Sequence, residues 1–438
     1  MQNLIIFKKK INKFNKKISV PGDKSLSIRW VLFSSLATGI SKAQNLLHSE
    51  DVLSAIKSIQ KLGIKVILNK KFCKIYGQGF DGYKYKKNLL LNARNSGTLG
   101  RLILGLLINS PTSIKLIGDK SLSKRDFKRI ADPLKMFGAN FKLNKNKTLP
   151  LVIKGSQNLK PIYYNENKGS AQCKSSVIFG GMRTVGETII KAKKSRNHTE
   201  LLCKYLGLPI KVKNNKNYDL IKINKVKKIK SLNYKIPSDI SSASFIVLTA
   251  LSNKSKLIIK NVNVNPTRIG IVNILKKMGV KINLINKKKY KGEKVADIHV
   301  YGSENFKSLN CPPKLNSGAI DEFLLIFLIA AKADGISYFS DLAELNQKES
   351  PRLKWGAKIL KMMGVKIKLT KNSIKIFGNP KLKVNKKIII KNYLKDHRVF
   401  MTSAIAALSF GGAWHIHNKD SIKTSFPSFL KILNLINK

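Results

Sequence analysis

Six residues, Gly-Asp-Lys-Ser-Leu-Ser, occur twice in this 438-residue chain, at Gly22–Ser27 and Gly118–Ser123. After one further residue each copy meets an arginine, Arg29 and Arg125. Lysine is the chain's general cation and arginine is scarce, with ten in all. An arginine here therefore suggests a position that needs a planar, permanently charged fork, which fits carboxylate and phosphate oxygens two at a time. A Pro-Gly-Asp turn opening a helix at Lys24, Ser25 and Arg29 adds backbone N–H donors that favour an anion. A capped surface helix with solvated charges would read the same way in isolation.

Other segments carry groups of the same kind. Asn92–Leu107 has Asn-Ser-Gly-Thr, in which Gly97 lets backbone approach a ligand, with Arg101 on the helix that follows. Arg125 and Arg129 lie four apart, a spacing that predicts one helical face. Lys168–Gly181 sets Ser170, Gln172 and Lys174 before an apolar helix, suiting a hydroxylated anion or a plain N-cap equally. Asp321 and Glu322 stand at the mouth of an apolar helix, as dipole partners or as a base. Lys348, Glu349 and Arg352 crowd together, as a surface pair or as a proton donor beside an anion clamp. Asp396-His397-Arg398 opens a last apolar helix.

The balance of 84 basic to 23 acidic residues gives a net charge of +61. That excess raises nucleic acid as a partner. The lysines, however, are spread along the whole chain among Asn and Ile, with neither an RNA-binding aromatic signature nor zinc-ligand spacing. The expectation is a compositional bias on solvated faces whose field favours anionic substrates. Cys73, Cys173, Cys203 and Cys311 are scattered, which fits a reducing cytoplasm. The N-terminal segment has its apolar patch before its basic run, unlike a signal peptide. Phe323–Ala331 is too short to span a bilayer and predicts a buried helix.

Positioning these groups falls to a diffuse repeat. Ala55–Leu68, Ile130–Leu143, Thr199–Val212, Gly270–Asn283 and Trp355–Lys368 each show a helical apolar period, then a glycine, then a short alternating strand. Gly63, Gly138, Gly207, Gly279 and Gly364 sit where a helix C-terminus needs positive φ. Phe426–Ile436 resembles a truncated sixth copy. Units of this length are too long for a solenoid, and they predict a duplicated α/β unit, three copies in each of two domains. The Lys/Asn-rich stretch Lys211–Lys235, followed by a helix that Asp239 or Ser241 would cap, marks the expected boundary.

Taken in order, PGDKSLSIR, NSGTLGR, GDKSLSKR, SAQCKS, SRNHTE, NPTRIG, IDE, KESPR, DHR and TSFP resemble the 5-enolpyruvylshikimate-3-phosphate synthases of the enolpyruvyl transferase family, from about Val20 to Pro427. The resemblance implies a two-domain α/β fold, an inverse α/β barrel with three βαβαββ repeats per domain. Residues 1–19 with 237–438 would form one domain and residues 20–236 the other, with the active site in the cleft between them. It implies transfer of the enolpyruvyl group of phosphoenolpyruvate to the 5-hydroxyl of shikimate 3-phosphate. Ser25, Arg29, Ser170, Ala171, Gln172, Arg196 and Lys348 would hold shikimate 3-phosphate. Lys24, Gly97, Arg125, Arg352 and Arg398 would hold phosphoenolpyruvate, with His397 close by. Asp321 would be the base, Glu349 the acid, and Lys24 a stabiliser of phosphate charge.

No metal, organic cofactor, nucleic acid or membrane is implied, and a monomer is expected. Departures from the family pattern flank the charged groups: Pro351 for Asp, Asp126 for Pro, Arg94 for Gly, Asn346 for Arg, and Thr424 where some branches carry Lys. Lys423 is left outside the site. The competing readings are the related transferase acting on UDP-N-acetylglucosamine, a basic nucleic-acid-binding protein on this scaffold, and a non-catalytic descendant.

Overall fold

Each glycine that closes an apolar helical period takes a positive φ, between 68° and 108°. The five helices are Glu50–Lys61, Lys128–Met136, His198–Tyr205, Gly270–Lys277 and Arg352–Met362. Each is followed by a strand, beginning at Lys65, Asn140, Ile210, Ile282 and Ile367. Glycine reaches this left-handed backbone without a Cβ penalty, so the helix stops there and the chain turns into the strand. The computed structural model describes residues 3–437.

The chain forms two compact units. A terminal unit comprises Met1–Pro21, Pro237–Lys289 and Lys294–Lys438; an inserted unit comprises Gly22–Ile236 and Tyr290–Glu293. Each unit contains three sheets. In the inserted unit, Tyr163–Glu166 runs parallel to Thr188–Lys193, joined by the helix Ala171–Gly181. After the helix His198–Tyr205, Ile210–Asn214 and Tyr218–Ile223 form an antiparallel hairpin whose second strand returns against Thr188–Lys193. This βαβαββ pattern recurs. The sheet of the truncated sixth copy has three strands, Lys387–Ile390, Ala413–His417 and Leu4–Phe7. There the N-terminal strand takes the place of the missing hairpin, pairing Leu4 with His417.

Helices lie inside and sheets outside. Every residue from Leu26 to Leu36 of the helix Lys24–Leu36 is buried, as is every residue of Ala243–Leu251. The run Phe323–Ala331 is a buried helix, as its apolar sequence predicts. The strands instead alternate between buried and partly exposed residues, as in Tyr218–Ile223. Among the described residues no helix is long and apolar enough to cross a membrane.

The Lys/Asn-rich stretch Lys211–Lys235 turns out to be largely sheet. Its hairpin buries Asp219, Ile221 and Ile223 on one face, and the lysines alternate outward. The tip Tyr290–Glu293, which the sequence places with the terminal domain, packs as part of the inserted unit. Asp239 accepts a hydrogen bond from the Ser241 N–H and so caps the turn before Ala243–Leu251.

Candidate active-site residues at the ends of the inner helices

The charged motifs sit at the N-termini of the inner helices. In the inserted unit these helices are Lys24–Leu36, Gly97–Leu106 and Ala171–Gly181. Asp23, Ser96 and Ser170 cap them by accepting the backbone N–H of Leu26, Leu99 and Cys173. Helix starts with their N–H groups uncovered favour an anion.

Arg29 is buried, and its hydrogen-bond partners are all neutral. Nε donates to Thr199 Oγ1 at 2.8 Å, Nη1 to the Ser25 carbonyl at 3.2 Å and Nη2 to Ser175 Oγ at 3.1 Å. Burial lowers it to about 10 against the opposing charges of Glu200, Asp23 and Glu293, and the half-buried Arg196 lowers it further. Lys24 Nζ meets Asp51 Oδ2 at 2.9 Å. Gln172 bridges two inner helices, accepting from Arg101 Nη1 and donating to Thr98 Oγ1. Arg101 is buried, and desolvation together with the charges of Arg129 and Arg125 brings it to about 9. Gly97 is tight against this group, since a Cβ there would lie 3.0 Å from Arg125 Nη1 and 3.1 Å from Arg101 Nη1. Guanidinium charge thus gathers around Gly97 and Gln172, with Ala171 at the first position of the helix that carries Gln172.

Two readings of the sequence are corrected, those of Arg125 and Lys174. The duplicated hexapeptides do not fold alike: Gly22–Ser27 opens a 13-residue helix, whereas Gly118–Ser123 makes only a short turn, Leu122–Lys124. Asp126 accepts the Lys128 N–H and starts a new helix, so Arg125 lies in extended backbone and shares no helical face with Arg129. Lys120 is exposed. Lys174 is no ligand candidate, because it is fully buried on Glu200 at 2.6 Å, on the inner face of its helix.

In the terminal unit Arg352 is fully buried and surrounded by carboxylates. Nε donates to Asp396 Oδ2 at 2.9 Å, Nη2 to Asp396 Oδ1 at 3.2 Å and to Glu349, and Nη1 to Asp321 Oδ1 at 3.2 Å. Burial works against its charge, but Asp396, Glu349 and Asp321 outweigh that and hold the guanidinium above its usual range. Lys348 Nζ lies 3.6 Å from Asp321 Oδ1. Asp396 also accepts from Ser350 N and Oγ and, as N-cap of His397–Phe410, from the Arg398 N–H. Arg398 Nη2 donates to Ser241 Oγ at 3.0 Å, and Nη1 lies 3.3 Å from Glu322, which also takes Arg268 Nη1 at 3.0 Å. His397 Nδ1 is 3.3 Å from Thr424 Oγ1. Lys423 is half-exposed and paired with Asp420. Pro351, at the N-cap of Arg352–Met362, supplies no side-chain cap, and Asp396 fixes Arg352 instead.

Of the residues the sequence picked out, Asp321 and Glu349 meet on Arg352 with Lys348 beside Asp321, whereas the Arg398 guanidinium lies on Ser241 and Glu322, and His397 faces Thr424. The sequence read Glu322 only as a dipole partner or a base, not as the partner of Arg398. It did not pick out Asp396 as the hub, Arg268 on Glu322, or Thr199 and Ser175 on Arg29. The aspartate of DHR and the threonine of SRNHTE were the available signals. None of the cysteines is a nucleophile candidate: all four are buried, and burial pushes Cys73 up to about 12 and Cys311 to about 11.

Inner helices wrapped by sheets, three repeats to a unit, with clustered cations at the helix starts, define an enolpyruvyl transferase fold. The NikO enolpyruvyl transferase of Streptomyces tendae shares it at a TM-score of 0.76 and 12% identity, over 100% of this chain and 98% of that one. An EPSP synthase structure from Acinetobacter baumannii matches at a TM-score of 0.87 and 34% identity, again over 100% and 98%. The 3-phosphoshikimate 1-carboxyvinyltransferase of Ruthia magnifica subsp. Calyptogena magnifica is 40% identical over 98% of this chain and 97% of its own. That of Caldicellulosiruptor bescii is 37% identical over 96% of each. The profile of the EPSP synthase (3-phosphoshikimate 1-carboxyvinyltransferase) family matches residues 8–433. The chain belongs to that family.

Proposed function

We propose that the two groups of residues serve one reaction, the transfer of the enolpyruvyl group of phosphoenolpyruvate to the 5-hydroxyl of shikimate 3-phosphate with release of phosphate. The observation that carries this reading is Arg29, a buried guanidinium whose hydrogen-bond partners are two hydroxyls and a carbonyl. A buried charge is costly unless it is paired, and an anionic ligand supplies the pair. Ser25, Arg29, Ser170, Ala171, Gln172, Arg196 and Lys348 then hold shikimate 3-phosphate. Lys24, Gly97, Arg125, Arg352 and Arg398 hold phosphoenolpyruvate beside His397.

Arg352 and Arg398 already carry carboxylates, so phosphoenolpyruvate competes for them. Its entry displaces Glu349 from Arg352, and the freed carboxyl group, carrying a proton taken up from solvent, becomes the acid the substrate needs. Asp321 takes the 5-hydroxyl proton while the 5-oxygen bonds to C2 of phosphoenolpyruvate, and Glu349 protonates C3. The tetrahedral adduct then loses phosphate as the C2–O bond to phosphate breaks: the methyl proton returns to Glu349 to restore the double bond, and the phosphate takes away the proton held by Asp321. Lys24 and the arginines stabilise the charge growing on phosphate. The reading calls for no metal or organic cofactor, and for a monomer in the cytoplasm, with four buried unpaired thiols in its support. Asp321→Asn and Glu349→Gln test the roles. Each should lower kcat by about 100-fold or more, the usual scale of general acid–base catalysis; near-normal turnover in both would overturn the assignment.

A further inference from the structure

Glu293 lies more than 90 residues from any substrate motif of the inserted unit, yet it is buried against one of them. Its carboxylate meets His198 Nδ1 at 2.8 Å, and both side chains are essentially inaccessible to solvent. His198 is the first residue of the helix that places Thr199 under Arg29 Nε. Thr199 Oγ1 and Ser175 Oγ are 2.7 Å apart, so the two hydroxyls that hold Arg29 are themselves joined. Glu200, next along, holds Lys174.

The tip that delivers Glu293 is anchored at every residue. Tyr290 stacks on Tyr234 with ring centroids 5.5 Å apart and planes within 3°, and its hydroxyl accepts the Lys235 N–H. Lys291 Nζ donates to Tyr205 Oη at 2.9 Å, at the far end of the helix that His198 begins. Gly292 takes φ 88°, and a Cβ there would come within 2.7 Å of the Leu201 carbonyl of that helix. Lys291, Gly292 and Glu293 therefore grip one helix along its length, while Tyr290 fastens the tip to the strand Tyr234–Lys235. Such over-determination serves to hold a group in a fixed place.

We propose that Glu293 is a positioning residue for the shikimate 3-phosphate half-site: by fixing His198 it sets the helix start that presents Thr199, and with it Arg29, to the substrate. This rests on the reaction proposed above. It acts through His198 and touches no substrate, so its loss is felt in one substrate only.

The test is a kinetic split on the full-length enzyme, with Glu293→Ala and the isosteric Glu293→Gln, which keeps an acceptor for His198 without the charge. Glu293→Ala is expected to raise KM for shikimate 3-phosphate by about 10- to 100-fold, the range of one hydrogen bond to a charged group. KM for phosphoenolpyruvate should stay within about twofold, and Glu293→Gln should recover much of the loss. Calorimetric titration with shikimate 3-phosphate alone should weaken in parallel. Equal rises in both KM values, or lower thermal stability with unchanged kinetics, would overturn the role. If Glu293→Ala does not fold, the same split is read on Glu293→Gln and on His198→Gln. A wild-type enzyme that binds shikimate 3-phosphate but releases no phosphate would overturn the reaction while leaving the calorimetric comparison to decide on Glu293.

Discussion

Replacing Asp396 by Asn should break the cluster of carboxylates that holds Arg352. Asp396 is completely buried and accepts from Arg352 Nε and Nη2, Ser350 N and Oγ, and the Arg398 N–H. Asn keeps one oxygen, so the cap on Arg398 survives. Its amide, however, must face donors on Ser350 and Arg352, and Arg352 loses the counter-charge that does most to stabilise its guanidinium. Breaking one partner of a buried ion pair costs about 3–5 kcal/mol. Asp396→Ala should cost about 1 kcal/mol more, because the N-cap goes as well. The assay is urea unfolding followed by Trp fluorescence, since Trp355 and Trp414 both lie in the affected unit. KM for phosphoenolpyruvate should rise in the same variants. A loss below about 1 kcal/mol in Asp396→Asn, the scale of a surface pair, would refute the view that Asp396 organises Arg352.

Gly97→Ala should press on the guanidiniums of Arg125 and Arg101 and raise KM for phosphoenolpyruvate about fivefold, or about 1 kcal/mol, with KM for shikimate 3-phosphate unchanged in the same assay. Arg94 is exposed and holds φ 48°. Arg94→Gly should therefore stabilise the protein by about 1 kcal/mol in thermal or urea unfolding. Asp297 is buried, which would raise its carboxyl, but Lys260, the Asn261 N–H and Asn286 bring it down to about 2. Its folded value lies below the unfolded one of about 3.9, so its contribution of about 2 kcal/mol is present above pH 4 to 5 and fades as pH falls toward 2. Stability measured against pH should lose that part of its acid dependence in Asp297→Asn.

Local patterns were readable from the chain, and long-range pairings were not. The five glycines announced helix ends because a positive φ is a property of one residue and its neighbours. The helix starts were legible for the same reason, since Asp23, Ser96 and Ser170 cap residues three positions on. The identical hexapeptides diverged because the fate of a turn depends on the residues downstream of it. Ile28 and Trp30 continue into the core, whereas Asp126 opens a separate helix four residues after Leu122. Asp396 meets Arg352 across 44 residues, Glu322 meets Arg268 across 54 and Glu293 meets His198 across 95. No periodicity records such separations. The Lys/Asn-rich hairpin near the boundary was obscured because its outward lysines masked the alternation of Asp219, Ile221 and Ile223 beneath them.

The proposed reaction needs both the arginine group around Arg29 and the acid-rich group around Arg352. It is tested most directly by measuring phosphate released from phosphoenolpyruvate by the purified protein, with and without shikimate 3-phosphate. Release is expected only when both are present, matched mole for mole by the enolpyruvyl product and abolished by Arg29→Ala. Release that ignores shikimate 3-phosphate, or none with both substrates at saturation, would contradict it.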